Sequence, residues 1–120
     1  MNEEVYVSFE TAKLLKEKGF DWKTIECYSP HGGNYRFSHG IAEVCGIEQY
    51  PRPTQQTACK WLRDEKRIHP ELELCIDNEF SFTIYKLDGK RTVLYEESRC
   101  WAKSEDAAEA ALQYCLTNLI

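Results

Sequence analysis

The sequence has no long hydrophobic run. Nowhere in its 120 residues does an apolar stretch approach the roughly 20 residues that a membrane-spanning helix needs. The start of the chain, MNEEVYVSFE, is acidic and lacks the basic and apolar regions of a signal peptide. The sequence therefore predicts a protein with no membrane partner that stays in the cytoplasm.

Glycine and proline are also scarce, with six and four residues. An excess of them would indicate disorder, whereas 42% apolar and 29% charged residues are typical of globular domains. A chain of this length is about one domain. We therefore expect a single domain over residues 1–120, with a core block at residues 50–119.

Basic residues are fewer than acidic ones, 15 against 20, so the net charge is −5. Affinity for nucleic-acid phosphates comes mainly from Lys and Arg side chains that displace counterions. An acidic balance therefore favours a protein as the partner over a nucleic acid.

The six cysteines include no CxxC pair. They are Cys27, Cys45, Cys59, Cys75, Cys100 and Cys115. Because cysteines of cytoplasmic proteins are normally reduced, we expect six free thiols. Cys59 and Cys115 lie inside helical patterns, where a thiol acts as a small apolar filler.

One segment combines two thiols and two imidazoles, the ligand set of a structural zinc site. It contains Cys27, His31, His39 and Cys45 in the spacing C-x3-H-x7-H-x5-C, without the usual close pairs. The alternative is that the histidines flank a surface turn while the cysteines fill the core. We expect no metal and no cofactor, and the sequence leaves open whether the four side chains converge.

Signatures of catalysis are missing as well. No known signature places a thiol against His31, His39 or His69, and the acids are scattered. The sequence HGGN at residues 31–34 is too short for a phosphate-binding loop and precedes a strand. The sequence therefore predicts no catalytic residue, and it favours a hydrolase or thiol enzyme least.

The first half of the chain predicts a helix and a hairpin. Residues 5–7 are predicted as a short strand-like entry, Ser8 as the cap of a helix, and Gly19 as its end, so that Phe20 packs back on Leu15. Two β-type segments, residues 24–29 and 35–39, flank the turn-forming sequence PHGGN. Residues 40–49 carry no clear pattern.

The second half predicts the order α-β-β-β-α over residues 54–119. Thr54 caps a helix to about Arg67, with an inner stripe of Ala58, Trp61, Leu62 and Glu65. Alternating residues then predict antiparallel strands over 71–77, 80–86 and 92–96, with Val93 and Tyr95 on one side of the last. The dipeptide Asp88-Gly89 predicts a type I′ turn.

Ser104 is predicted to cap the last helix, with acids in its first turn. Its predicted inner stripe is Ala108, Ala111, Leu112, Cys115 and Leu119. The fold class is therefore α+β, an antiparallel sheet with helices on one face.

A basic strip on the helix after Pro53 is the one feature that favours nucleic acid. It consists of Lys60, Arg63 and Arg67, with Arg52 and Lys66 as further members. The alternative is a solvated helix face whose charges Asp64 and Glu65 balance. Similarly, Phe80, Phe82, Tyr85 and Tyr95 either stack bases or form the core face of the sheet.

The order of elements over residues 54–119 resembles the double-stranded-RNA-binding-domain fold. That family binds phosphates through a KKxAK pattern at the start of its last helix. The matching residues here are Lys103-Ser104-Glu105-Asp106-Ala107-Ala108, with acids in place of all but one lysine. Because carboxylates repel phosphates, we expect this topology without that activity.

The whole chain also resembles small uncharacterised proteins of phage and mobile-element regions in gut bacteria. The residues that carry this resemblance are YVSFETAKLLKEKGF, YPRPTQQTACKWLR and EDAAEAALQYCLTNLI. The resemblance implies a genomic setting and no mechanism. We expect a non-enzymatic accessory or protein-interaction module, the alternative being a nucleic-acid-binding protein that uses the basic helix face.

Overall fold

The computed structural model describes residues 5–24, 26–29, 34–36 and 50–120, with only the backbone described at 34–36. Its helices and antiparallel sheets confirm the predicted α+β class. In chain order the elements are α1 (Phe9–Glu17), β1 (Glu26–Tyr28), β2 (Asn34–Arg36), β3 (Tyr50–Pro51), α2 (Gln55–Trp61), a π-helical turn (Leu62–Lys66), β4 (Ile68–Leu74), β5 (Phe80–Leu87), β6 (Arg91–Glu96) and α3 (Ser104–Asn118).

Helix α1 begins and ends as its sequence predicts. The Ser8 hydroxyl accepts a hydrogen bond from the backbone N–H of Thr11. At the other end Gly19 has a φ of +96°, and the Phe20 N–H donates to the Leu15 carbonyl at 2.9 Å. This is the Schellman arrangement, in which only a residue that tolerates positive φ can follow the helix.

The first sheet has the strand order β2-β1-β3. Strands β1 and β2 pair antiparallel, as predicted, while residues 40–49 and the turn at 30–33 lie outside the described residues. Strand β3 was not predicted, because two residues ending in Pro51 carry too little pattern. It pairs with β1, and Tyr6 forms a bridge with Thr54, which brings the start of the chain beside α2.

Helix α2 is capped by Thr54, whose hydroxyl accepts from the Thr57 N–H at 3.1 Å. Ala58, Trp61 and Leu62 are buried as predicted. The prediction for Glu65 is wrong: that side chain is exposed. The α-helical repeat stops at Trp61 and a π-helical turn follows, which rotates later residues off the inner face.

The second sheet is antiparallel with the order β4-β5-β6. Strand β4 begins at Ile68, earlier than predicted, and includes Pro70. Because β4 is at the edge of this sheet, a residue without an N–H is tolerated there. Ile76, within the strand predicted over residues 71–77, instead lies in the turn after β4 and is 100% exposed.

Two local predictions in the second sheet are wrong. A register shift between Ile84 and Tyr85 pairs Ile84 with Tyr95 and Tyr85 with Val93. Because the adjacent residues Ile84 and Tyr85 lie on opposite faces of the sheet, their partners Tyr95 and Val93 do so as well. The β5–β6 connection spans residues 88–90. A type I′ turn requires a positive φ at both central residues, and Asp88 does not have one. Gly89 alone in this connection has left-handed φ, at +95°.

Helix α3 packs on one face of the second sheet and contacts α1 and α2. Ser104 is its first helical residue rather than its cap, and the N-cap residue Lys103 makes no side-chain capping bond. Its buried residues are Ala107, Ala111, Leu112, Cys115 and Leu116. The predicted Ala108 and Leu119 are only partly buried, because the inner stripe is rotated by about one residue.

The core lies between α3, α2, α1 and the second sheet. Its largest fully buried side chains include Phe82, Leu62, Ile84 and Leu112. Trp61 is 2% exposed and packs edge-on against Phe20, with 5.5 Å between the rings. Among the described residues, no helix is long and apolar enough to cross a membrane.

Candidate functional site

Of the cysteine and histidine segment, only Cys27 lies among the described residues. Cys27 is disulfide-bonded, so the prediction of a free thiol is wrong for this residue and its sulfur is not a free thiolate ligand. His31, His39 and Cys45 lie outside the described residues. Within the described part of the chain, no group of three or more His, Cys, Asp or Glu residues is arranged to hold a metal ion.

The other described cysteines are free thiols, as predicted. Burial raises the pKa of Cys59 to about 11, and it raises the pKa of Cys115 to about 12. Both thiols therefore stay protonated near neutral pH. A protonated thiol is a poor nucleophile, so these two cysteines fill space, as their helical positions predict.

The predicted basic strip is divided among separate places. Arg52 forms an ion pair with Glu26, and its guanidinium lies 4.1 Å from the centre of the Tyr6 ring. Its side chain is 17% exposed, so it stabilises the first sheet and presents little charge to solvent. Lys66 lies over the Trp61 ring at 5.5 Å. Lys60 and Arg63 line one cavity and Arg67 lines another.

The cavity at Lys60 and Arg63 is a cleft of about 540 Å³ between α2, β4 and α3. Helix α2 also contributes Gln55 and Cys59. Because Gln55 and Cys59 are four residues apart, they share one face of the helix. The opposite wall is the first half of α3, and the small side chain of Ala108 leaves the space between the helices open.

The floor of the cleft is apolar and its walls carry charge. Pro70 and Leu72 of the edge strand β4 line the floor. Lys60 of α2 and Arg63 of the π-helical turn that follows lie on one wall, which we call the α2 wall, and Glu105 lies on the α3 wall. The cleft is therefore an apolar space with two cations on one side and one carboxylate on the other.

Apolar exposure continues from the cleft along β4. Leu72, which lines the cleft, is 38% exposed, and Leu74 is 67% exposed. Both lie on the same face of the strand, since they are two residues apart. Exposed apolar residues next to a cleft are typical of a binding surface. The alternating sequence pattern predicts that Leu72 and Leu74 share one face of the strand, but it does not predict that both side chains stay exposed to solvent.

A cluster of hydrogen bonds joins three helices beside the cleft, and we call its members Ser8, Thr11, Gln55 and Glu109 the polar junction. The Thr11 hydroxyl donates to Glu109 Oε2 at 2.6 Å, and Gln55 Nε2 donates to Glu109 Oε1 at 3.0 Å. The Ser8 N–H donates to the same Oε1 at 3.2 Å. Glu109 thus joins α1, α2 and α3, a role for which the sequence carries no signal.

A second, smaller depression of about 320 Å³ lies at the β5–β6 turn. Arg67, Lys90 and Arg91 line it. Arg91 Nη2 is paired with Glu71 Oε2 at 2.6 Å, whereas Arg67 and Lys90 form no ion pair with any described residue. Unlike the cleft, which Glu105 lines, this basic depression has no acidic residue among its described lining residues.

The aromatic residues of the second sheet pack mainly inside the protein. Phe82 is 1% exposed and stacks on Trp101 with 5.7 Å between ring centres. Tyr95 stacks on Tyr114 of α3 at 3.9 Å. Tyr85 is on the other face, where the Arg91 guanidinium lies 4.1 Å from its ring centre. Phe82 and Tyr95 are therefore engaged in packing and not displayed for base stacking.

Fold and cleft together define an α+β domain with an apolar, cation-walled cavity between two helices and a sheet edge. No protein-family model matches the chain, and no curated protein or solved structure matches it either.

Proposed function

We propose that this protein is a non-enzymatic protein-interaction module. Its ligand is a peptide segment of a partner protein that carries a large apolar side chain next to a carboxylate. The observation that carries the proposal is the cleft of about 540 Å³, which has an apolar floor and two cations on its α2 wall. Its volume falls in the range of roughly 300–1,000 Å³ that is usual for binding pockets.

The apolar part of the ligand follows from the floor and its continuation. Pro70, Leu72 and the alanines of α3 offer an apolar surface, and Leu74 extends it beyond the cleft. A large apolar side chain that enters the cleft removes this surface from water, which stabilises the complex by about 25 cal/mol for each Å² buried. The neighbouring residues of the peptide then lie along β4.

The carboxylate follows from the charges of the α2 wall. Lys60 forms no ion pair with any described residue. Arg63 lies 3.7 Å from Asp64, and both side chains of that pair are nearly half exposed. Exposed pairs of this kind contribute little, so Arg63 can exchange its partner for a ligand carboxylate.

A binding role agrees with the chemistry of the cleft. Its one thiol, Cys59, stays protonated because burial raises its pKa to about 11. The resemblance to small proteins of phage and mobile-element regions supports an accessory role. We therefore propose an accessory module of a phage or mobile element that works by holding a partner protein.

Selection from a displayed library of random dodecapeptides tests the proposal. We expect the selected peptides to be enriched in Leu, Phe or Trp beside Asp or Glu, and synthetic copies to bind in fluorescence anisotropy. Ala108→Trp fills the cleft and should abolish this binding, while Lys23→Glu, an exposed charge reversal away from the cleft, should leave it unchanged. Binding that survives Ala108→Trp would contradict the proposal.

A second candidate function is nucleic-acid binding, and the basic depression at Arg67, Lys90 and Arg91 is the observation that favours it. Electrostatic affinity for phosphates is strongest at low salt. Fluorescence anisotropy with duplex RNA and DNA at low salt tests it, with Arg67→Glu expected to weaken binding. Unmeasurable binding under those conditions excludes this function.

A further inference from the structure

Strand β4 has a free edge next to the cleft. It pairs with β5 on one side, and on its other side no strand follows in the part of the chain that the structure describes. Pro70 and Leu72 of the same strand line the cleft. A free strand edge presents backbone N–H and C=O groups that can pair with another chain.

Hydrogen bonds at both ends of the β4–β5 ladder show which backbone groups point to the free edge. The Leu87 N–H donates to the Arg67 carbonyl at 2.8 Å, and the Cys75 N–H donates to the Glu79 carbonyl at 2.7 Å. In an antiparallel ladder, hydrogen-bonded pairs alternate with pairs that are not hydrogen-bonded. The odd-numbered residues from 67 to 75 therefore direct their backbone groups to β5, and the even-numbered ones between them direct theirs to the free edge.

Two further observations agree with this alternation. The Phe82 carbonyl accepts from the Glu97 N–H at 3.0 Å, so Phe82, the partner of Leu72, points its carbonyl away from β4. Pro70 has no N–H and occupies one of the outward positions, where the ladder loses no bond. Leu72 and Leu74 thus direct their N–H and C=O groups outward, and no other described residue forms a hydrogen bond with these groups.

We propose that the partner peptide binds as an extended strand added to the free edge of β4, with backbone hydrogen bonds to Leu72 and Leu74. This inference rests on the proposed function and specifies the conformation of its ligand. In this mode the main-chain bonds supply affinity, and pockets for alternate side chains supply specificity. The peptide residue opposite Leu72 shares its face of the sheet, so its side chain is directed to the cleft.

The charges of β4 specify the residues beside that apolar side chain. Glu71 and Glu73 lie on the other face of the strand, and Glu73 is exposed. The peptide residue opposite Glu73 is therefore favoured as Lys or Arg. Because side chains two positions apart share a face, the carboxylate that meets Lys60 and Arg63 lies two residues from the apolar one. The expected ligand alternates an acidic, a basic and a large apolar residue.

The same charges disfavour a second copy of this chain at the edge. Two β4 strands paired antiparallel about Leu72 would place Glu71 of one copy opposite Glu73 of the other. Pairing about Glu73 would place that residue opposite itself. Like charges directly opposite each other destabilise strand pairing. The carboxylates therefore favour a peptide with a basic residue over self-association.

Amide hydrogen exchange of the full chain, followed by NMR, tests the free edge before a ligand is added. In the free protein, the amides of Leu72 and Leu74 should exchange more than tenfold faster than those of Glu71 and Glu73, which point to β5. A synthetic dodecapeptide from the selection should slow Leu72 and Leu74 more than tenfold. Protection of these two amides in the free protein, whether as a monomer or as a dimer in sedimentation, would overturn the inference.

Backbone N-methylation of the same dodecapeptide separates this inference from the proposed function. Methyl groups on the alternate amides that donate to β4 should weaken binding more than tenfold, whereas methyl groups on the intervening amides should leave it nearly unchanged. Leu74→Pro removes one outward N–H and should weaken binding about tenfold relative to Leu74→Ala, which keeps it.

The outcomes distinguish the two proposals. Binding that Ala108→Trp abolishes, but that shows no alternation in the N-methyl series, would overturn the added strand and leave the proposed function standing. A selection that returns no binding peptide would overturn both. Should Leu74→Pro fail to fold, the N-methyl series decides the question with the wild-type protein.

Discussion

Helices α2 and α3 meet in two ways within a few residues. At the polar junction, Gln55 of α2 donates to Glu109 and to the Glu105 carbonyl, which joins the two helices. One turn further along α2, Cys59 lines a cleft of about 540 Å³ together with Ala108 of α3. The same pair of helices is thus joined at Gln55 and open beside Cys59.

The difference lies in the size and polarity of the side chains. Gln55 and Glu109 are long enough to reach each other, and Thr11 and Ser8 satisfy the remaining oxygen sites. Cys59 and Ala108 are short and apolar, so they neither reach across nor attract water strongly. The polar junction therefore stabilises the fold, and the cleft leaves apolar surface for a ligand to cover.

The largest expected effect is on stability, from loss of the junction. Glu109→Ala removes the acceptor of three hydrogen bonds and should lower the free energy of unfolding by about 2–4 kcal/mol. Glu105→Ala is the matched control, because the only hydrogen bond of that carboxylate among the described residues is with Ser104 at 3.5 Å. Urea denaturation measures both variants. Equal effects would mean that the junction is not what holds the helices together.

Filling the cleft should affect binding and not stability. Ala108→Trp should weaken binding of a selected peptide more than tenfold while changing the free energy of unfolding by less than about 1 kcal/mol. Ala107→Trp, one residue earlier and fully buried, should instead destabilise the fold by about 1–3 kcal/mol. Anisotropy and urea denaturation together separate the two variants. A stability loss at Ala108 as large as at Ala107 would show that the cleft is not open.

The charge of the α2 wall should have a smaller effect on binding. Lys60→Glu should weaken the same peptide about tenfold at low salt, and less at high salt, because solvent ions screen exposed charges. Its free energy of unfolding should change by less than about 0.5 kcal/mol. Lys23→Glu carries the same charge change elsewhere on the surface. If both variants bind equally, the peptide carboxylate does not contact Lys60.

The smallest effect is on stability in acid, and it involves Glu97, a carboxylate that lies neither in the polar junction nor in the cleft. Hydrogen bonds from Arg99 and from the Tyr95 hydroxyl lower the pKa of Glu97 from 4.5 to about 2. A depressed carboxyl pKa contributes stability above the unfolded value, and that contribution is lost as pH falls from about 4.5 to about 2.

Glu97→Gln should remove this part of the acid dependence. Its effect at neutral pH should be about 1 kcal/mol or less, because Arg99 is 73% exposed and solvent screens the pair. Melting temperature measured against pH provides the test, with peptide binding at neutral pH unchanged. A wild-type melting curve with the same acid dependence as Glu97→Gln would show that Glu97 is not held in its charged form.

Local features of the fold were predictable because their causes are local. The Ser8 and Thr54 caps, the Gly19 stop and the hairpins depend on residues within a few positions of each other. The errors at Glu65 and at Val93 and Tyr95 occur where a repeat is interrupted without a sequence signal. The π-helical turn moved Glu65 off the inner face, and the register shift beside Ile84 separated Val93 from Tyr95.

The sequence by itself determined the class of the fold, the positions of most helices and strands, and the presence of Lys60, Arg63 and Arg67 on one segment. Only the tertiary structure decided that these cations divide between two cavities and that Glu109 joins three helices. Thr11 and Glu109 are 98 residues apart, yet their oxygens lie at 2.6 Å. Periodicity reports which face of an element is apolar, whereas contacts over such separations depend on how whole elements pack.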